Sequence, residues 1–191
     1  MKRIAIYCGS KSGNRSQFAL DVQKLGEVIA RENIEVVYGG GRVGLMGVLA
    51  NAVLAQGGRV TGVIPTGLFT NEVAHTELTD LITVEDMHAR KAKMIQLSDG
   101  FIALPGGLGT LDEFFEVWTW CQLGIHNKPV GILNIGGYYD ALLTFLNQMV
   151  GCGFLDAVFL EQLYVDTDSE RLIQKLREYT PTKTKPTGVV R

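Results

Sequence analysis

The segment Leu104-Pro105-Gly106-Gly107-Leu108-Gly109-Thr110-Leu111-Asp112-Glu113 carries the residue types best suited to chemistry. It joins an apolar run, Phe101-Ile102-Ala103-Leu104, to a helical pattern from Leu111 to Gln122. A glycine turn entering a helix exposes backbone N–H groups at the positive end of the helix dipole, a ready site for a phosphate. Pro105 fixes the chain as it leaves the strand. Glu113 stands one turn in, within reach of whatever the phosphate is attached to. The same spacing has a structural reading. Thr110-Leu111-Asp112-Glu113 matches a capping box, with threonine as the cap and glutamate reaching back. Glycines before a helix also serve simple tight turns.

A second turn, Tyr38-Gly39-Gly40-Gly41-Arg42-Val43-Gly44-Leu45-Met46-Gly47, contains the spacing G-x-G-x-x-G between a strand-like run and a helical one. In a dinucleotide site that turn follows the first strand, and an acidic ribose partner lies roughly 20 residues on. Here the turn follows the second strand, and Arg59–Ile64 offers no acid. A nicotinamide-dependent oxidoreductase is therefore disfavoured. Two readings stand: close approach of a nucleotide to the backbone at Gly40 and Gly41, or close packing of helix on sheet.

The third segment, Glu85-Asp86-Met87-His88-Ala89-Arg90-Lys91-Ala92-Lys93-Met94, directly precedes the strand that carries the main turn. Met87, Met94 and Ile95 supply an apolar face, and Arg90 and Lys91 fall off it. A solvated basic patch is the structural reading. A guanidinium aimed at a phosphate or sugar is the chemical one, suited to the planar fork of arginine. His88 reads as structural or exposed. Glu72 lies in a polar connection after Pro65, and nothing local singles it out.

These segments must be positioned by alternating elements. Strands are expected at Arg3–Cys8, Glu35–Tyr38, Arg59–Ile64, Leu81–Val84, Gly100–Leu104, Val130–Asn134 and Leu163–Val165. Several are nearly all apolar, as in parallel strands covered on both faces. Helical patterns fall at Ser16–Glu32, Leu45–Gln56, Asp86–Leu97, Thr110–Gln122, Tyr138–Val150 and Ser169–Glu178. This order implies an α/β fold, a doubly wound Rossmann-like parallel sheet with helices on both faces. Ligands of such sheets bind at the carboxyl ends of the strands. One domain is expected over residues 1–179. From Thr180 to Arg191 the periodicity stops, and a flexible tail is expected.

The chain of 191 residues, 46% hydrophobic and 20% charged, suits a globular domain with a full core. A net charge of −2 implies neither a nucleic acid nor an anionic membrane surface as partner. Cys8, Cys121 and Cys152 show no metal-ligand spacing, so no metal is expected, and they read as thiols of a reducing compartment. The first apolar run is too short for a signal peptide and no run is long enough to span a bilayer. A cytoplasmic location is expected.

Together these segments strongly resemble the Lonely Guy (LOG) family, the cytokinin-activating phosphoribohydrolases and their bacterial relatives. Pro105–Glu113 matches the family's P-G-G-x-G-T-x-x-E motif, and Met87–Lys91 matches its M-x-x-R-K segment. The likeness runs to about Phe154 and includes Gly39–Gly47, Trp120–Ile125 and Lys128–Gly131; beyond that it is looser. Leu108 falls at a variable position, and Asp112 replaces a common glutamate. The resemblance implies hydrolysis of the N-glycosidic bond of nucleoside 5′-monophosphates, AMP or a cytokinin ribotide, to free base and ribose 5-phosphate. It implies Arg90 and Glu113 as the catalytic pair. Glu72, Arg90, Lys91, Gln122 and the stretch Gly106, Gly107, Leu108, Gly109, Thr110, Leu111, Asp112 and Glu113 would contact the nucleotide. It also implies a homodimer and no cofactor. Many members once carried the label lysine decarboxylase, but no lysine here lies in a recognisable pyridoxal-phosphate context. The alternative from another class is a nucleotide- or molybdopterin-type carrier on the same fold. A carrier needs the glycine turn but no acid beside it, so Arg90 and Glu113 together favour the enzyme.

Overall fold

In the computed structural model, which describes residues 1–67 and 74–181, the seven apolar runs become seven parallel strands. These are β1 (Arg3–Tyr7), β2 (Glu35–Tyr38), β3 (Val60–Pro65), β4 (Asp80–Val84), β5 (Gly100–Ala103), β6 (Val130–Leu133) and β7 (Leu163–Asp166). The helices between them are α1 (Ser16–Arg31), α2 (Gly44–Ala55), α3 (Met87–Leu97), α4 (Leu108–Gln122), α5 (Asp140–Gly151), α6 (Ala157–Glu161) and α7 (Ser169–Arg177). The short α6 and a single turn of 3-10 helix at Ile135–Gly137 have no counterpart in the sequence pattern, being too short to show a period. Glu72 and the tail from residue 182 lie outside the described residues.

Alternation along the central strands divides the core in two. Ile4 and Ile6 of β1 pack with Phe18, Val22 and Leu25 of α1, with Leu45 and Leu49 of α2, and with Leu172 of α7. Ala5 and Tyr7 of the same strand face Met94 of α3, Phe114 and Val117 of α4, Leu146 of α5 and Phe159 of α6. A two-residue period on β1 is thus what places helices on both faces.

The strand order is β4-β3-β2-β1-β5-β6-β7. The chain winds outward from β1 to the β4 edge, returns through α3, and winds outward again from β5. The order therefore reverses between β1 and β5, and the loops that leave these two strands diverge to opposite faces. Such a switch point leaves a crevice at the carboxyl ends of the strands.

Two expectations fail locally. First, α4 begins at Leu108, two residues earlier than the pattern suggested, and its N-cap is Gly107 with no side chain capping it. Thr110 and Glu113 lie inside the helix, so the capping box does not form. Second, Arg90 and Lys91 are not a solvated patch: they are 6% and 9% exposed, on the same buried face of α3 as Met94 and Ile95. Helix α3 crosses back from the sheet edge to its centre and meets α4 through Lys91, so its covered face is wider than its apolar residues mark.

Candidate active site

The crevice at the β1/β5 switch point is a cavity of about 540 Å³, within the range of roughly 300–1,000 Å³ usual for small-molecule sites. The turn Pro105–Thr110 forms one wall, with Asp112 and Glu113 behind it. The first loop, Gly9–Gly13, forms another, and Arg90, Gly39, Met46, Met87, Phe18 and Tyr138 join the lining.

The turn is held by close backbone approach. Gly9 N–H donates to Pro105 O at 3.0 Å, and Leu45 N–H donates to Gly9 O at 3.0 Å. A β-carbon on Gly106 would meet Thr110 and the nitrogen of Gly9. Only glycine lets the loops after β1 and β5 pack this tightly. The first intrahelical bond of α4 runs from Leu111 N–H to Gly107 O at 3.2 Å. The N–H groups of Leu108, Gly109 and Thr110 precede that bond, which is the arrangement that attracts an anion.

Arg90 reaches the cavity from α3. Asp86 caps that helix by accepting from Ala89 N–H at 2.8 Å. The guanidinium Nη2 donates to Gly39 O at 3.0 Å, and Nη1 contacts Met87 Sδ at 3.6 Å. Its buried Nε has no hydrogen-bond partner among the described residues. A buried donor on a charged group is costly to leave unmet.

Carboxylate charge from Glu113 is felt by its neighbours. Burial, and then the charge on Glu113, push the Cys8 thiol well above its ordinary range. Burial pushes the Tyr7 phenol up too, followed by Glu113 and Glu116. Cys8 lines the cavity as a neutral thiol, which is a poor nucleophile.

Other residues singled out in the sequence lie elsewhere. Lys91 does not line the cavity; its Nζ bridges Asp112 at 3.1 Å and Glu116 at 3.2 Å, tying α3 to α4. Leu111 is on α4 but away from the cavity lining, and Gln122 is at the far end of that helix, about 20 Å along its axis. Gly40 and Gly41 serve packing: Gly40 O accepts from His75 N–H at 2.9 Å, and Gly41 bridges Ala74. The residues of that turn that face the cavity are Gly39, Leu45 and Met46. The first loop and Tyr138 line the cavity without having been marked by the sequence pattern. A signal for the loop exists, since Cys8-Gly9-Ser10-Lys11-Ser12-Gly13 follows the first strand, where a nucleotide turn usually lies.

This sheet and site define a Rossmann-like α/β protein whose switch-point crevice is lined by a glycine turn, an arginine and a glutamate. A family described as "Possible lysine decarboxylase" matches residues 46–176. Cytokinin riboside 5′-monophosphate phosphoribohydrolase LOG1 of Arabidopsis thaliana is 45% identical over 180 residues, covering 94% of this chain and 84% of the relative. Probable cytokinin riboside 5′-monophosphate phosphoribohydrolase LOGL3 of Oryza sativa subsp. japonica is 48% identical over 183 residues, covering 94% and 85%. The chain belongs to the LOG family. A molybdenum cofactor binding protein from Rippkaea orientalis shares the fold at a TM-score of 0.69 and 22% identity, over 92% of this chain and 95% of that one. That likeness concerns the fold alone.

The decarboxylase description does not suit the buried lysine beside the site. A Schiff-base lysine must lose its proton readily. Burial disfavours the charge on Lys91, but hydrogen bonds and charge from Asp112 and Glu116 outweigh it and raise its pKa.

Proposed function

We propose that the protein hydrolyses the N-glycosidic bond of nucleoside 5′-monophosphates, cytokinin riboside 5′-monophosphate among them, releasing the base and ribose 5-phosphate. One observation carries the assignment of the site: Arg90 and Glu113 line the same cavity as the uncapped start of α4.

As the bond from C1′ to the base breaks, the sugar becomes electron-poor and resembles an oxocarbenium ion. Glu113 supplies the carboxylate that stabilises this charge and takes a proton from the attacking water. Water then provides the hydroxyl at C1′, the base leaves with the bonding electrons, and the proton taken from water ends on the base. Arg90, with an unmet buried donor, binds substrate oxygen. The cradle Gly106–Thr110 holds the phosphate away from the breaking bond. Binding energy spent there fixes the sugar in a reactive pose.

In this reading the protein works in the cytoplasm as a homodimer and binds no nucleic acid. No helix among the described residues is long and apolar enough to cross a membrane. Leu123, Ile125, Phe145 and Phe154, all more than half exposed, supply apolar surface for a second copy. Sedimentation at micromolar concentration tests that state.

The decisive experiment incubates the purified protein with AMP and with isopentenyladenosine monophosphate, and separates free base by chromatography. Base and ribose 5-phosphate in equal amounts are expected. Absence of base from a panel of nucleotides would sink the hydrolase and return the carrier reading.

A further inference from the structure

Three consecutive carbonyls of the cradle turn are each held from outside it. Leu104 O accepts from the Tyr139 hydroxyl at 2.6 Å, Pro105 O accepts from Gly9 N–H at 3.0 Å, and Gly106 O accepts from the Tyr138 hydroxyl. In a trans peptide the C=O and the following N–H point in opposite directions. Fixing Gly106 O therefore fixes the direction of the Gly107 N–H, the donor that leads into α4.

The two adjacent tyrosines differ in what else they do. Tyr139 is 2% exposed and belongs to the core beneath α4. Its backbone N–H is held by Asn134 Oδ1 at 2.8 Å. Tyr138 is 44% exposed, lies outside both core clusters, and lines the cavity. Its ring is kept in place edge-on by Phe18, at 5.7 Å between centroids, and by Tyr139, at 4.9 Å. The hydroxyl of Tyr138 is thus a tether on the cradle from a residue the core does not need.

We infer that Tyr138 is a positioning residue for the phosphate end of the substrate: its hydroxyl orients the Gly106–Gly107 peptide and its ring closes that end of the cavity. This rests on the function proposed above, in which the cradle takes a phosphate. Without the hydroxyl the Gly106 carbonyl turns to water and the Gly107 N–H is no longer held in one direction. The loss is then specific to ligands that carry the phosphate.

The test uses Tyr138→Phe, which removes one oxygen and keeps the ring. Calorimetry with ribose 5-phosphate reads binding without turnover. The variant is expected to bind it about tenfold more weakly, the scale of one hydrogen bond. kcat/KM for AMP should fall about tenfold, with the melting temperature unchanged. Tyr138→Met reports the same quantities should the phenylalanine variant not fold. Unchanged affinity for ribose 5-phosphate overturns the inference, and so does an equal loss for adenosine, which lacks the phosphate. Wild-type protein that binds no ribose 5-phosphate overturns it too. Wild-type protein that binds ribose 5-phosphate but releases no base fails the proposed hydrolysis alone.

Discussion

The Arg90 guanidinium occupies the space that a side chain at residue 39 would fill. Its Nη2 donates to Gly39 O at 3.0 Å, and a β-carbon on Gly39 would collide with that nitrogen. Gly39 follows β2 and Arg90 lies on α3, so two distant segments meet in one contact. Gly39→Ala should therefore act through Arg90. Turnover is expected to fall to the level of Arg90→Ala, with a stability cost of about 1–3 kcal/mol from overpacking. Initial rates and thermal melts on both variants check this. Normal turnover in Gly39→Ala would show that the arginine works from another position.

Glu113→Gln keeps the size and helix propensity of the side chain and removes the charge. AMP binding is expected to survive while turnover drops by roughly 10²–10⁴. Calorimetry and a base-release assay separate the two. Since Gly107 and not Thr110 is the N-cap of α4, the variant disrupts no Thr110–Glu113 capping box. A modest rate effect would take Glu113 out of the chemistry. Arg90→Ala should also lose turnover; retained turnover with weaker binding would make Arg90 a binding residue only.

How much of this is legible in the sequence follows from the range of each signal. The seven strands and the longer helices show in the sequence because periodicity is local, and their bounds differ by a residue or two. The cradle was legible for the same reason: Pro105 to Glu113 is one continuous segment. The seat of Arg90 on Gly39 was not, because 51 residues separate them. The burial of Arg90 and Lys91 does not show because apolar periodicity does not register charged residues that meet distant partners, Gly39 for the first and Asp112 and Glu116 for the second. Nor could local pattern show Tyr138, whose hydroxyl reaches a carbonyl 32 residues earlier. The capping-box spacing was present at Thr110 and Glu113, but Gly107 starts the helix sooner, where the close approach of the first loop holds the turn.

Lys91 ties the two helices that carry the proposed catalytic pair. It follows Arg90 on α3 and bridges Asp112 and Glu116, which flank Glu113 on α4. With the Lys91 side chain 11% exposed and Glu116 at 23%, solvent screens part of the brace weakly. Lys91→Met leaves carboxylates facing each other without a cation, and a loss of about 2 kcal/mol is expected, discounted for the exposure of Asp112. Lys91→Arg keeps the charge and should recover most of the stability. If the brace also sets the spacing of Arg90 and Glu113, kcat in Lys91→Met falls more than KM rises. Urea unfolding and steady-state kinetics on the two variants give both answers. A rise in KM alone would instead place Lys91 in contact with substrate.

Two histidines give the fold a pH dependence of definite sign. His126 Nε2 meets Val117 O at 2.9 Å while its Nδ1 accepts from Lys128 N–H at 3.2 Å. His75 does the same with Asn51 Oδ1 at 2.8 Å and Glu77 N–H at 3.3 Å. One nitrogen donates and the other accepts, which only the neutral ring can do. Burial, first of all, lowers the pKa of each below the ordinary value, helped at His126 by Lys128 and at His75 by Arg42. Between the lowered folded value and the unfolded value of about 6.5, the unfolded chain binds more protons. The contribution is complete above about pH 6.5 and is lost as pH falls through the folded value. The melting temperature should therefore fall between pH 7 and pH 5. Carboxylates held low in the fold, such as Glu35 and Asp99, lose their contributions at more acid pH. Replacing both histidines with glutamine should lower stability at pH 7 yet flatten its slope between pH 7 and 5. A slope unchanged in the double variant would assign the pH dependence to other groups.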